Sequence, residues 1–169
     1  MLKVLVPVDG SPNSEFALRH VVRQFMNNTA MEIHLLNVQP SLSSYITRFL
    51  SRRSVRDFHA DQAEKALRPA RQLLDGFGVP YATHVEIGHR AERITELAHR
   101  LRCDHIVMSS ARKNSLTRLV ESSTTNRVLE LTSVPVEMVA GDAVSPWERY
   151  GIPAGLGTLI ALLLAAVAD

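Results

Sequence analysis

Residues 109–125 gather the side chains that hold an anion. Arg112, Lys113 and Arg118 are cations, and Ser122-Ser123-Thr124-Thr125 is an unbroken run of four hydroxyls just ahead of a helical pattern. Backbone N–H groups freed at a helix start, hydroxyls beside them and guanidinium groups near by suit a phosphate or sulfate. The same composition also describes a solvated loop ending in an ordinary Ser/Thr cap. A second candidate is Asp9, the lone carboxylate in Asp9-Gly10-Ser11-Pro12. It either contacts a ligand or braces the turn that follows it.

Other residue types offer less. Seven histidines (His20, His34, His59, His84, His89, His99, His105) include no H-E-x-x-H pair. His84, Glu86 and His89 come nearest to a metal cluster, but they fall across a strand and the turn after it, and no metal is expected. A lone Cys103 excludes a disulfide framework and a four-cysteine zinc site, and reads as a small semi-buried residue. There is no Walker A loop, no G-x-G-x-x-G after the first strand and no G-x-S-x-G elbow. Gly76-x-Gly78 is explained by a helix C-cap. Nothing points to catalysis.

The elements that must position these groups follow from periodicity. Leu2 to Val8 is a short apolar run suited to a strand covered on both faces. Ser11 as cap and Pro12 at the first helical position open a helix, and Ala17, Val21 and Phe25 carry it to about Asn27–Asn28. Met31 to Val38 is the second strand. Ala60, Ala63, Leu67, Ala70 and Leu74 predict a helix from Asp57 to Leu74, which Pro69 should kink or divide. Tyr81, Thr83, Val85 and Ile87 alternate as a third strand, and Ile94, Leu97, Ala98 and Leu101 mark a third helix. Asp104 to Met108 is strand four, Asn126 to Leu131 helix four, and Val134 to Val139 strand five, with Pro135 favouring a strand end or edge. Strand and helix alternate throughout, the order of a doubly wound five-stranded parallel sheet with helices on both faces. Ligands in such sheets sit beyond the carboxyl ends of the strands, where strand order reverses. Pro7 and Asp9, Val38, and Met108 with Ser109 are the residues expected there.

Charge is unevenly spread. With 19 Lys and Arg against 17 Asp and Glu the net charge is +2, too small to imply nucleic acid. The stretch from Ser41 to Arg56 holds Arg48, Arg52, Arg53 and Arg56 and no acidic residue; setting them aside leaves 15 against 17, a net −2. Tyr45, Ile46, Phe49 and Leu50 recur there at helical spacing, so the segment reads as a basic amphipathic stretch. It is either a lid over a site or a surface for an anionic partner such as a lipid headgroup or phosphate. Gly151 to Ala168 is eighteen residues without a charge. As an apolar helix it would span about 27 Å against a bilayer core of about 30 Å, with Trp147 and Tyr150 placed as interfacial aromatics. The domain divides as 1–141, a linker 142–150 and the tail 151–169. Its expected place is cytoplasmic, with that tail either associating with the inner membrane or folding as a terminal helix onto an apolar groove of the dimer.

Together the motifs resemble the universal stress protein family. Val4-Leu5-Val6-Pro7-Val8-Asp9-Gly10-Ser11 is similar to its first strand and aspartate, and His34-Leu35-Leu36-Asn37-Val38 to its second strand. Gly88 with Ile94 and Ala98, Asp104 to Met108, and Asn126-Arg127-Val128-Leu129 through Val134-Pro135-Val136 complete the likeness over about residues 1–140. The resemblance implies a Rossmann-like fold and a homodimer pairing through the last strand, Val134 to Val139. It also implies nucleotide contact by Asp9. ATP-binding members carry Gly-x-x-Gly, nine residues, then Gly-Ser/Thr after strand four. Here the three glycine positions read Ser109, Arg112 and Ser122, and only the following hydroxyl, Ser123, survives. Glycine is what lets backbone wrap phosphate closely. The expectation is therefore a non-catalytic stress-response protein without a resident cofactor, acting through dimerisation and partner or small-ligand binding. The alternatives are an ATP-binding switch or slow ATPase with a rearranged loop, and a membrane-tethered adaptor.

Overall fold

The computed structural model describes residues 1–112 and 118–143. Its elements in chain order are β1 (Leu2–Pro7), α1 (Pro12–Asn27), β2 (Met31–Gln39), α2 (Ser44–Thr47) and α3 (Arg52–Gly76). β3 (Tyr81–Ile87), α4 (Arg90–Leu101), β4 (His105–Arg112), α5 (Arg118–Leu131) and β5 (Val136–Ala143) follow. The strands form one sheet in the order β3-β2-β1-β4-β5, and every neighbouring pair is parallel. The expected tail helix, Gly151 to Ala168, and the linker before it lie outside the described residues.

Alternation along the central strands sorts two cores. Val4, Val6, Ile33, Leu35 and Val107 face one side and pack with Ala17 and Val21 of α1 and Leu67 and Leu74 of α3. Leu5, Leu36, Val38, Ile106 and Met108 face the other, against Ile94, Leu97 and Ala98 of α4 and Val128 of α5. Burial on both faces is what the continuous apolar runs of β1 and β2 require. β3 is an outer strand, and its Val85 and Ile87 stay about half exposed.

Several elements depart from their sequence patterns. α3 begins at Arg52, five residues early, because Ser51 caps it by accepting the Ser54 N–H at 3.0 Å. Pro69 does not divide it. One lost helical hydrogen bond is outweighed by the buried seam on both sides of the proline, which runs His59, Ala63, Leu67, Ala70, Leu74. His59 takes the place on that seam expected of Ala60, which is exposed. At its end Val79 N–H donates to Leu74 O and Gly78 N–H to Asp75 O, with Gly78 at φ +64°. That is the left-handed stop that Gly76-x-Gly78 suggested. The basic amphipathic stretch is not one helix: α2 stops at Thr47, and the chain is non-helical from Arg48 to Ser51. Ser11 stands at the α1 N-cap position but makes no side-chain cap bond. β5 starts at Val136, and Pro135 precedes it, giving its carbonyl to the Ile106 N–H at 2.9 Å.

Candidate functional site

The sheet order reverses between β1 and β4, so the carboxyl rim there is where an open α/β sheet binds ligands. Asp9 lies just past β1 and is exposed. Its Oδ1 accepts the Ser11 N–H at 3.0 Å, closing an Asx turn over Gly10. Of the two roles open to Asp9 in sequence, this one is formed in the fold. Gly10 has φ +78°, and a Cβ there would stand 3.0 Å from the Ala66 Cα of α3. The turn is thus wedged against a helix backbone, an approach only glycine permits.

The residue that organises this rim went unnoticed as a site residue in sequence. Asn37 is 2% exposed inside β2. Its Nδ2 donates to Val8 O at 2.8 Å, and its Oδ1 accepts from Gln39 Nε2 at 2.6 Å. Gln39 O in turn accepts the Gly88 N–H at 2.9 Å. The signal was present: an amide in the apolar run MEIHLLNVQ must find partners if it is buried. Val38 and Met108 close the layer beneath the rim, buried together on the α4 side, while Pro7 and Ser109 are half-buried at its lip.

On the other side of the switch point the structure corrects the sequence reading. Ser109 to Arg112 is not loop but the end of β4, with Ser109 opposite Val139, Ser110 opposite Ala140 and Arg112 opposite Ala143, and one irregularity between Ser110 and Arg112. A partner strand supplies ladder bonds, and the polar residues extend rather than coil. Ser122, Ser123, Thr124 and Thr125 do not open a helix either. α5 starts at Arg118, so its first turn is Arg118–Glu121 and the hydroxyl run lies in its interior. N–H groups there are committed to the helix rather than free for an anion. Two positions of the glycine pattern therefore fall in a strand and the third within a helix. Lys113 lies outside the described residues.

Histidines pair where sequence suggested no pairing. His34 Nδ1 and His84 Nε2 are 3.0 Å apart, and Glu32 Oε1 is 3.1 Å from His34 Nε2. Burial pushes the His84 pKa down, with His34 and Arg100 adding to the shift. His84, Glu86 and His89 are not brought together: His84 meets His34, Glu86 pairs with Arg100, and His89 stands at the N-cap position of α4 without a side-chain cap bond. Among the described residues no three metal-ligating groups converge. Cys103 is buried, and burial pushes its thiol up to about 11, away from nucleophile chemistry. A wide groove of about 650 Å³ opens at the opposite rim between Leu2, Gln24, Asp104, His105 and Glu137. It lies at the amino ends of the strands, away from the switch point, and Glu137 Oε1 there lies 2.6 Å from His20 Nε2.

The model of the universal stress protein family matches residues 1–140. The chain belongs to the universal stress protein family. Universal stress protein MJ0531 of Methanocaldococcus jannaschii is 25% identical over 139 residues, 81% of each chain. Universal stress protein UspA from Lactobacillus plantarum superposes with a TM-score of 0.66 at 23% identity, covering 82% of this chain and 97% of that one. A universal stress protein family member from Arabidopsis thaliana with AMP bound has a TM-score of 0.62 at 19% identity, over 85% and 94%. These neighbours share the five-stranded α/β fold.

Proposed function

We propose that this universal stress protein is a non-catalytic, homodimeric stress-response protein acting through contacts with partners or a small ligand, and that it holds ATP no tighter than about the low-millimolar range. The observation that carries this reading is the backbone on the phosphate side of the switch point. β4 is paired out to Arg112 and α5 is already helical at Arg118, so close wrapping of a triphosphate has no glycine loop to use. Asp9 has work to do in the turn without any ligand. β5 is an outer strand with Met138 partly exposed, a pairing edge of the kind that a second copy would cover.

An adenine-nucleotide switch is the second reading. It is favoured by the AMP-bound Arabidopsis relative and by Asp9, an exposed carboxylate at the switch point. The full chain, purified without added nucleotide, separates the two by calorimetric titration with ATP and AMP. No binding tighter than about the low-millimolar range is expected, and the unliganded protein should sediment as a dimer. Micromolar binding that Asp9→Ala abolishes would establish the switch instead. A monomer at micromolar concentration would overturn the dimer.

A further inference from the structure

The segment after β2 leaves its large side chains uncovered. Tyr45 is 72% exposed and Phe49 73%, and Leu50 is 43% exposed. The two rings pack edge to face on each other, 5.8 Å between centroids, rather than on the core. Arg48, Arg52, Arg53 and Arg56 are all exposed around them. Arg53 reaches Asp57 at 3.8 Å; among the described residues no carboxylate lies within ion-pair distance of the other three. Apolar rings standing in water beside unpaired guanidinium groups form a surface complementary to one that is anionic outside and apolar beneath.

Topology adds a second observation. Because all five strands are parallel, the chain leaves β2 at Gln39 and β5 at Ala143 on the same rim of the sheet. In the order β2-β1-β4-β5 these exits are three strand spacings apart, about 14 Å. The first exit leads to the arginine and aromatic segment, and the second to Trp147, Arg149, Tyr150 and the charge-free run 151–168. Stable attachment to a bilayer takes two signals, and a basic patch with an apolar segment is one such pair.

We infer that residues 45–56 dock on an anionic lipid bilayer, with Tyr45, Phe49 and Leu50 entering the headgroup layer and the arginines on lipid phosphates. The carboxyl rim of the sheet then faces the membrane. Exposed rings among arginines also suit single-stranded nucleic acid. The charge-free sequence 151–168, which follows the strand that leaves on the same rim, is what favours lipid. The inference is independent of whether the rim takes a nucleotide.

The test presents the full chain to vesicles of phosphatidylcholine alone and of phosphatidylcholine mixed with phosphatidylglycerol. Binding should favour the anionic vesicles and weaken with added salt. At about fivefold per arginine, Arg48→Gln with Arg52→Gln and Arg56→Gln should lower partitioning onto anionic vesicles about 100-fold, leaving the circular dichroism spectrum unchanged. Phe49→Trp in a Trp147→Phe background carries a single indole, whose emission should shift to the blue on anionic vesicles only. Equal binding to both lipids, or no response to the arginine substitutions, would mean that the tail acts alone and would overturn the inference. Unshifted indole emission from the Phe49→Trp protein would overturn it too, as would retention of a single-stranded oligonucleotide without any response to vesicles.

Discussion

The two sides of the switch point are built to opposite rules. On the β1–β2 side three residues are tied down: Asp9 closes its own turn, Asn37 bridges Val8 and Gln39, and Gly10 is pressed on α3. On the β4–α5 side the positions that the family resemblance reads as glycine carry Ser109, Arg112 and Ser122, and they lie in a strand and a helix. The difference teaches that an aspartate and a glycine at a ligand rim can be held there for structural reasons. Asp9 and Gly10 are required by the turn itself, so their presence is no measure of nucleotide binding.

Asn37→Ala is the strongest way to break that comparison. It removes two hydrogen bonds, leaves the buried Val8 carbonyl without its donor and opens a small void, so a loss of about 2–4 kcal/mol is expected. Urea unfolding measures it. A loss below about 0.5 kcal/mol would show that the bridge does not hold the rim.

The glycine contrast can be tested in both directions. Gly10→Ala meets both a positive φ and the Ala66 backbone, and should destabilise by about 1–3 kcal/mol. Ser109→Gly, within a paired strand, should destabilise by only about 0.5–1 kcal/mol, through chain entropy. Thermal midpoints in the reverse order would mean that the two sides are not built differently.

The smallest effect lies at the outer edge of the first side. The His84 pKa is lowered on folding, so between that folded value and the ordinary 6.5 the unfolded chain binds more protons. Its contribution to stability is therefore complete above about pH 6.5 and declines as pH falls below it, with a slope of less than about one proton. Glu86 opposes the shift, and His34 and Arg100 support it. In His84→Gln the fall in stability between about pH 7.5 and 5.5 should be shallower than in the parent. Parallel curves would remove the His34–His84 contact from the account.

Much of this was legible in the residue pattern. Apolar runs at Leu2–Val8 and Met31–Val38 with helical spacing between them specify buried parallel strands, because backbone periodicity and burial on two faces are properties of the local chain. Gly78 as a helix stop and the missing glycines after β4 were equally plain. The ends of β4 and α5 were not. Whether Ser109–Arg112 extends depends on a ladder with Val139–Ala143, some thirty residues away, which polarity at those positions does not reveal.

By itself, then, the sequence determined the alternation of elements, the parallel sheet and the absence of a glycine loop, since each follows from side-chain period or from the need for a missing Cβ. Only the tertiary structure decided that Pro69 stays within α3, that His59 rather than Ala60 faces the core, and that Asn37 holds the rim. All three turn on which distant surface covers a residue, and burial is a property of the packed molecule rather than of the local chain.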